Sequence, residues 1–443
     1  MKDVIYSILY RFRNSNPIRL VALGYLTYVV VGWALLCVPY FQKTPVVPLD
    51  NLFIASSAIS TTGLATVDVA SSYNFLGQLV VLILIQLGGI GYMTFGSFVI
   101  LSAKRTLEED QKRVMHTVFS IPKDFKIEKF IKSVVGFSFF FELLGAIALL
   151  PVFLRAGVDN PVWQAVFHSI SAFCTAGFSL FPNSMENFKD NIWLNVVVSA
   201  LSILGAMGFI VCVDAWRVIT GKIKEVTFTT RIIVVATFWL LVIGTVACFL
   251  TEPFGVQVMP DKKILYSFFQ IMTALTTVGF NTVPINALSE SVILLLTFMM
   301  IIGASPSGTG GGLKTTTFSA IIGLVRSTCR GDSEVKFWGR RVPDDRVKTA
   351  VATFVFYVLA LSAGTYLLTL TDSFPFSKIL FESASALGTV GLSMGITSSL
   401  TALGKFIIIL MMFVGRVSPL SLGVSLFVKS ELIFDDDKTD LAV

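Results

Sequence analysis

The sequence is poor in charge. Only 14% of its 443 residues are Asp, Glu, Lys or Arg, whereas ordinary soluble domains carry about 25%. By contrast, 54% of the residues are hydrophobic, and apolar stretches of 20 or more residues recur along the chain without a long polar linker between them. This composition excludes a soluble enzyme, a fibre and a disordered chain. It indicates a protein whose main solvent is lipid.

Residues that usually carry chemistry are also scarce. The chain has two histidines, His116 and His168, and neither stands in a recognisable motif with Asp or Cys, so an intramembrane enzyme is only a distant alternative. The five cysteines show no CxxC spacing, which indicates neither a zinc site nor a disulfide framework. We interpret these cysteines as packing residues: Cys37, Cys174, Cys212, Cys248 and Cys329.

No nucleotide-binding motif is recognisable in the sequence. The stretch GTGGGLKT is similar to a phosphate-binding loop, but Lys314 does not directly follow Gly312, as GxxxxGK[ST] requires, and no strand precedes it. We therefore expect the chain to hydrolyse no nucleotide and to use no organic cofactor.

The long apolar stretches predict membrane-spanning helices. A helix needs about 20 apolar residues to cross a bilayer core ~30 Å thick, because its backbone groups must be satisfied within the helix. The stretches at 51–62 and 374–390 are too short to cross and suit re-entrant segments. Arg11, Arg13 and Arg19 precede the first span without a cleavage site after it, so we expect that span to be retained. The eight predicted spans are 19–40, 76–102, 130–154, 192–216, 231–251, 290–325, 347–370 and 402–428.

The basic residues indicate the orientation of these spans. Of the 34 Lys and Arg residues, 25 fall in the two terminal segments and in three links between spans. The positive-inside rule makes that side cytoplasmic, with both termini. The formal net charge of +6 is thereby explained without nucleic acid as a partner, and we expect a multi-pass protein of the cytoplasmic membrane.

One 15-residue pattern occurs four times without a gap. Each copy has Phe ten residues before a glycine, Ala five before it and Thr two before it. The separations of the glycines, 114, 102 and 112 residues, match the spacing of the span pairs. The copies are LFIASSAISTTGLAT, VFHSISAFCTAGFSL, FFQIMTALTTVGFNT and LFESASALGTVGLSM, with the glycines Gly63, Gly177, Gly279 and Gly391.

This internal repeat divides the chain into four units of span, short re-entrant segment and span. The expected divisions are an N-terminus at 1–18, repeats at 19–102, 130–216, 231–325 and 347–428, cytoplasmic links at 103–129, 217–230 and 326–346, and a tail at 429–443.

Four similar units pack most simply around an axis normal to the membrane, where their glycine segments meet. Glycine freely adopts the conformations that turn carbonyls inward, and rings of backbone carbonyls can replace the water shell of a cation. The stretch before each glycine is expected to form a half-helix whose partially negative C-terminus favours a cation over an anion. The alternative, that small residues merely allow close helix packing, is disfavoured because these segments are too short to span.

At these residues the sequence resembles the superfamily of K⁺ transporters that contains the bacterial TrkH and KtrB subunits and the plant HKT proteins. The resemblance covers almost the whole chain, and among these proteins the sequence is most similar to KtrB. The copies TVGF and TVGL, from Thr277 and Thr389, are also similar to the TVGYG filter of K⁺ channels. The resemblance implies an all-α polytopic membrane protein with four pseudo-fourfold helix–pore-loop–helix repeats: eight transmembrane helices and four re-entrant pore segments around one central pore.

The resemblance also implies which residues select the ion. Plant members that prefer Na⁺ have Ser at the first filter glycine, whereas this chain has Gly63, which favours K⁺. The second copy departs from the pattern with Cys174 and Ala176. The implied filter residues are Thr61, Thr62, Gly63, Thr175, Ala176, Gly177, Thr277, Val278, Gly279, Thr389, Val390 and Gly391.

The sixth span contains the irregular stretch GASPSGTGGGLKTTT. A proline and five glycines cannot hold a regular helix, and irregular backbone at membrane depth is tolerated only where it is buried or lines water. We therefore expect this stretch at the pore, below the filter, and the resemblance implies that its part at 303–314 acts as a gate. The implied gate residues are Gly303, Ser305, Pro306, Gly308, Gly310, Gly311, Gly312 and Lys314.

Arg416 is the most informative single residue, because an arginine inside a span is expensive and usually functional. Its motif resembles one in KtrB that places an arginine beneath the filter. Gly415 lies 24 residues after its filter glycine, as Gly303 does, so Arg416 aligns with Ala304. We predict that the guanidinium of Arg416 donates to carbonyls of the loop and holds the gate closed; a purely structural, hydrogen-bonded arginine is the alternative. Lys314 is expected to bind the loop, to oppose cation passage or to serve as a snorkelling anchor.

The sequence indicates the roles of four other polar residues less clearly. Glu142 is expected to pair or pack rather than to coordinate an ion. His168 and Glu382 occupy equivalent positions in two of the half-helices, and we predict that they anchor those helices. Asp68 either raises the cation concentration at the outer mouth or caps a loop.

The predicted function is K⁺ uptake by the channel-like membrane subunit of a Ktr/Trk-type system. The resemblance implies a homodimer in the membrane and a cytoplasmic ring of nucleotide-binding regulatory subunits, similar to KtrA or TrkA. The alternative of the same fold is a Na⁺-permeable transporter, or one that uses Na⁺ as a coupling or activating ion. A passive scaffold is disfavoured by the four matching filters.

Overall fold

The computed structural model describes residues 17–91, 127–253 and 260–417. The predicted N-terminal segment, most of the first link, the C-terminal tail and the ends of the spans predicted at 76–102 and 402–428 lie outside the described residues. Within the described ranges the chain is almost entirely helical.

The first half of the chain alternates longer and shorter helices. A single helical turn, Val69–Ser72, lies between the second and third helices. The helices are α1 (Pro17–Leu36), α2 (Pro48–Ile59), α3 (Phe75–Ile90), α4 (Ile127–Arg155), α5 (Pro161–Phe173), α6 (Ile192–Met207) and α7 (Phe209–Ile219).

The second half repeats the same order of elements. Its helices are α8 (Phe228–Thr251), α9 (Lys263–Leu275), α10 (Glu290–Ile302), α11 (Thr315–Arg330), α12 (Asp344–Thr371), α13 (Phe376–Gly388) and α14 (Ala402–Val417). Short 3₁₀ turns occur at Pro39–Phe41, Glu186–Phe188, Pro260–Lys262, Ile285–Ala287 and Thr397–Ser399.

Three of the described helices are long and apolar enough to cross a membrane. They are Ile131–Arg155 within α4, Phe228–Thr251 and Asp344–Thr371. The stretch predicted as a span at 192–216 is helical and apolar enough to cross when taken as a whole, but it is not straight: the chain bends by 98° between α6 and α7. The bend occurs at Gly208, whose φ of +90° breaks the regular helix.

The distribution of polar residues supports a membrane environment. Large apolar side chains of α4 are exposed, including Phe139, Leu143 and Ile147, whereas serines and threonines of the short helices are buried, such as Ser57 and Thr273. A soluble domain rarely exposes such an apolar face. Lipid is as apolar as leucine, so this face needs no protein cover, and small polar residues serve helix packing inside.

The short helices α2, α5, α9 and α13 are buried along most of their length. Proline begins two of them, Pro48 and Pro161, because its fixed φ and missing N–H suit the first helical position. Pro375 precedes α13 directly. These helices match the predicted half-helices in position, and each ends three or four residues before its repeat glycine.

A small hairpin, which the sequence pattern does not predict, lies in the third predicted link. Strands β1 (Lys336–Phe337) and β2 (Arg340–Arg341) pair in antiparallel fashion. Trp338 and Gly339 both have positive φ, 48° and 77°, as a two-residue hairpin turn requires. The hairpin borders a hydrophobic cluster of Phe228, Ile232, Val335, Val342 and Val347.

Candidate functional site

The four repeat glycines lie side by side in a closed ring. A methyl group added to any of them would collide with a carbonyl oxygen of the next repeat, so only glycine allows the segments to approach this closely. The ring closes because the fourth repeat returns to the first. The pairs are Gly63 with Ala176, Gly177 with Val278, Gly279 with Val390, and Gly391 with Thr62.

The backbone has the same conformation just before each repeat glycine. The threonine two residues before each glycine has a positive φ: 53° at Thr61, 50° at Thr175, 59° at Thr277 and 50° at Thr389. A β-branched residue rarely adopts this region, so the surrounding structure imposes it. Four copies of one unusual conformation indicate a common structural requirement.

The hydrogen bonds of the segments explain which groups remain free. The N–H that follows each threonine donates back to the preceding short helix, for example Thr62 to the Ser57 carbonyl at 2.9 Å and Val390 to the Ser385 carbonyl at 2.8 Å. Within the described ranges, the carbonyls of the four middle residues accept no hydrogen bond. Buried carbonyls normally have partners, so this ring of oxygens is chemically available. Its members are Thr62, Ala176, Val278 and Val390.

Three of the short helices have a polar residue at the equivalent position. Each of these residues contacts a hydroxyl in the chain segment that follows its repeat glycine. The imidazole of His168 lies 3.0 Å from the Ser179 hydroxyl, and the Ser393 hydroxyl donates to Glu382 at 2.9 Å. In the third repeat Gln270 donates to Thr282 at 3.1 Å. The prediction that His168 and Glu382 anchor the half-helices is confirmed.

Replacing Glu382 by Leu is expected to lower the stability of the fourth repeat by about 2 kcal/mol, because two hydrogen bonds of this buried side chain are lost and each contributes ~1 kcal/mol. Glu382 accepts hydrogen bonds from the hydroxyls of Ser393 and Thr397. The measurement is the thermal unfolding midpoint in detergent. Glu382→Gln keeps an oxygen acceptor and is the control; equal midpoints for both variants would exclude the anchoring role.

The glycine-rich loop, residues 303–314, lies directly against the four threonines of the ring. The Thr61 hydroxyl donates to the Thr309 carbonyl at 3.1 Å, and the hydroxyls of Thr175 and Thr309 lie 2.9 Å apart. On the other side, a side chain at Gly310 would collide with Thr277, and one at Gly311 with Thr389. The loop therefore covers one whole end of the ring, and its glycines make this contact possible.

Two cationic side chains hold the loop. Arg416 donates to the Thr309 carbonyl, to the Gly88 carbonyl and to the Thr61 hydroxyl, the last at 3.0 Å. Lys314 donates to the Gly310 carbonyl at 2.8 Å and contacts the Gly311 carbonyl at 3.4 Å. The predicted donation from Arg416 to a loop carbonyl is present. Of the alternatives for Lys314, the structure has the one in which it binds the loop.

The remaining loop residues have defined places. Gly303 ends α10 with a φ of +63°, and Gly312 has a φ of +73°. The Ser305 hydroxyl lies 2.8 Å from that of Thr315, at the start of α11. Carbonyl oxygens of Pro306 and Ala206 leave no space for a side chain at Gly208 and Gly308, respectively, so the loop also packs against the break between α6 and α7.

Counting from the repeat glycines aligns Gly415 with Gly303, but these two residues lie in different environments. Gly415 packs against the carbonyl of Leu387, at the end of α13, just as Gly88 packs against Ile59 and Gly205 against Phe173. Gly303, aligned with Gly415 by counting, instead packs against the loop at Gly311. The alignment of Arg416 with Ala304 is therefore not matched by equal environments, because the loop replaces the regular helix in the third repeat.

A cavity of about 280 Å³ opens on the other side of the ring. All four repeat glycines contribute to its wall, together with Asp68 and Asn281. Asp68 caps the turn Val69–Ser72 by accepting from the Ser71 N–H at 2.9 Å, so the cap alternative is present, and the residue also lines this cavity. Asn281 donates to Glu186 at 2.7 Å, and burial raises the pKa of that carboxyl above its ordinary value, opposed by this hydrogen bond.

Glu142 pairs with a neighbouring side chain, as expected. It accepts from the Gln86 amide at 2.8 Å and 3.0 Å, and the Cys174 thiol lies 3.7 Å away. All five cysteines are free thiols. Cys174 and Cys248 are buried, which agrees with a packing role, whereas Cys329 is exposed, so the predicted packing role is wrong for that residue.

Comparison with known proteins identifies the family. The family model described as TrkH, cation transport protein, matches residues 34–435. The chain belongs to this family. It is therefore a multi-pass membrane protein of a cation transporter family and not of an enzyme family.

Named relatives resemble the chain over nearly its full length. It is 32% identical to the Ktr system potassium uptake protein B of Bacillus subtilis, over 94% of both chains. It is 31% identical to the potassium/sodium uptake protein NtpJ of Enterococcus hirae, again over 94% of both. The crystal structure of the potassium transporter TrkH from Vibrio parahaemolyticus superposes with a TM-score of 0.76 and 19% identity, covering 93% of this chain and 85% of that one. That likeness shows the TrkH-like helical fold.

Proposed function

We propose that this protein takes up K⁺ through one pore and selects it with the ring of main-chain carbonyls. The observation that carries the proposal is the closed ring of four carbonyl oxygens that accept no hydrogen bond within the described residues. A bare cation is costly in a low-dielectric interior unless oxygen dipoles replace its hydration shell. The proposed filter consists of the twelve residues at 61–63, 175–177, 277–279 and 389–391.

The short helices favour a cation at this ring. Four of them end just before the filter segments, at Ile59, Phe173, Leu275 and Gly388. The C-terminus of a helix carries a partial negative charge of about half an elementary charge. Four such ends around one point attract a cation and repel an anion. Membrane potential then drives K⁺ inward with ~2.3 kcal/mol per charge per 100 mV.

The loop at 303–314 is proposed to be the gate, and its position against all four ring threonines corresponds to a closed pore. The guanidinium of Arg416 donates to the loop, so positive charge is added at the covered end. An incoming cation would have to pass both the loop and this charge. Opening therefore requires displacement of the loop from the ring.

We propose the following architecture for this function. Four repeats of helix, pore loop and helix surround the pore, with both termini and the basic links on the cytoplasmic side of the cytoplasmic membrane. Two chains form a dimer. The words "Ktr system" in the name of the Bacillus subtilis relative support a regulatory partner, and we propose a cytoplasmic nucleotide-binding ring on the basic links.

A second candidate is transport of Na⁺, because one relative is named a potassium/sodium uptake protein. Purified protein in sealed vesicles is expected to pass K⁺ with K⁺ as the only cation. Flux with Na⁺ alone, or K⁺ flux only when Na⁺ is added, would favour the second candidate. Absence of K⁺ flux under both conditions, with correctly folded protein, would contradict the proposal.

A further inference from the structure

The break between α6 and α7 leaves backbone groups at two helix ends that have no partner within their own helix. A helix has no internal partners for its last carbonyls and its first N–H groups. The residue before α7 is Gly208, which has no side chain to cap the helix. At membrane depth such groups need protein partners, because lipid supplies none.

The glycine-rich loop supplies these partners. At the end of α6, the Ala206 carbonyl accepts from the Ser305 N–H at 2.9 Å, and the Gly205 carbonyl accepts from the Thr309 N–H at 3.0 Å. At the start of α7, the Phe209 N–H donates to the Ser307 carbonyl, and the Ile210 N–H donates to the Ser307 hydroxyl, both at 3.2 Å.

We propose that this break is the docking site of the gate loop and that Ser307 is the positioning residue that latches it. The Ser307 hydroxyl acts as a helix N-cap provided by a different repeat. This inference rests on the proposed function, since it deepens the role of the loop as a gate. When the loop moves away, the N–H groups of Phe209 and Ile210 and the carbonyls of α6 lose their partners, so the latch stabilises the closed pore.

The backbone conformation at Ser307 limits which residues can form the latch. Its φ is +56°, a region in which Asn is several-fold enriched among residues with a side chain. Ser and Asn are both good N-caps, whereas Ala is a poor one. Asn is therefore the conservative replacement that keeps both the conformation and an oxygen acceptor.

The receiving helix is itself fixed at its far end. Asp214 of α7 is buried and accepts from the Thr227 N–H at 3.1 Å and from the hydroxyls of Thr227 and Thr230, both at 2.6 Å. These bonds cap α8. The latch is also separate from Arg416, which contacts the loop at Thr309. The loop is thus held on two sides by independent contacts.

The test is K⁺ flux into vesicles that contain the purified full chain. Ser307→Ala is expected to raise flux about fivefold, the effect of losing one N-cap, with an unchanged K⁺/Na⁺ ratio. Ser307→Asn is expected to return flux to within about twofold of wild type. Ser319→Ala is the matched control, because its hydroxyl bonds only within its own helix, to the Thr315 carbonyl at 2.8 Å; it should leave flux unchanged.

Unaltered flux in Ser307→Ala, alongside raised flux in Arg416→Ala, would overturn the latch and leave the gate in place. Absence of K⁺ flux in wild type and Arg416→Ala alike would instead contradict the proposed function. If Ser307→Ala folds poorly, Ser307→Gly removes the same hydroxyl at a φ that glycine adopts freely. Wild-type flux in that variant would also overturn the proposal.

Discussion

Gly279→Ser is expected to lower the preference for K⁺ over Na⁺ at least tenfold, which corresponds to about 1.4 kcal/mol of relative barrier. Gly279 has a φ of +81°, and any side chain there would collide with the Val390 carbonyl. The serine must push that oxygen out of the ring, so the four carbonyls no longer match one ion radius. Growth of K⁺-uptake-deficient cells at low K⁺, and ion flux with K⁺ or Na⁺ alone, measure the effect.

The control for this variant is Gly395→Ser. Gly395 has a similar φ of +84°, but a side chain there would meet nothing within 4 Å. It therefore reproduces the backbone strain without the collision. We expect Gly395→Ser to transport K⁺ with wild-type selectivity. If Gly279→Ser discriminates the two ions as well as wild type does, the assignment of the filter is wrong.

Arg416→Ala is expected to raise K⁺ flux by tenfold or more. The guanidinium joins three acceptors from distant parts of the chain, and hydrogen bonds to a charged group contribute ~1.5–3 kcal/mol each. Their loss weakens the closed position of the loop and removes a positive charge from the pore. Deleting residues 308–312 should have a similar effect, because it removes the part of the loop that covers the ring. Flux in vesicles is the measurement.

Arg416→Lys separates charge from geometry. A lysine keeps the positive charge but has one nitrogen instead of a planar fork of donors. Raised flux in Arg416→Lys would show that the three-way contact holds the loop, whereas wild-type flux would show that charge alone suffices. Unchanged flux in both Arg416→Ala and the loop deletion would remove the loop from the mechanism. Thermal unfolding in detergent must confirm that each variant is folded.

Local features of the site could be predicted from the sequence because they depend on neighbours along the chain. The short helices follow from short apolar runs, two of which begin at a proline, and the filter segments return their N–H groups to residues five positions earlier, as Val278 does to Thr273. The pattern around each glycine encodes this geometry four times, so repetition made it detectable. The irregular loop was also predictable from nearby residues, because proline and glycine disfavour a helix locally.

Contacts between repeats were harder to predict. The role of Gly208 was missed because a lone glycine in an apolar run is common and costs only ~1 kcal/mol in a helix. The partners of the two helix ends at this break come from a loop about 100 residues further along the chain. Ser307 was missed for the same reason, although its position among glycines was visible. The hairpin at Lys336–Arg341 was also missed, because two-residue strands carry too little pattern.

The sequence alone therefore determined the family, the four glycine segments, the short helices before them and the irregular loop, since each is written in residues close together in the chain. Only the tertiary structure decided which groups meet: the Arg416 guanidinium reaches Gly88 across 328 positions, and Thr61 reaches Thr309 across 248. Hydrogen bonds act over about 3 Å, so such contacts form only when whole repeats pack together. The residues between the two partners show no pattern that predicts them.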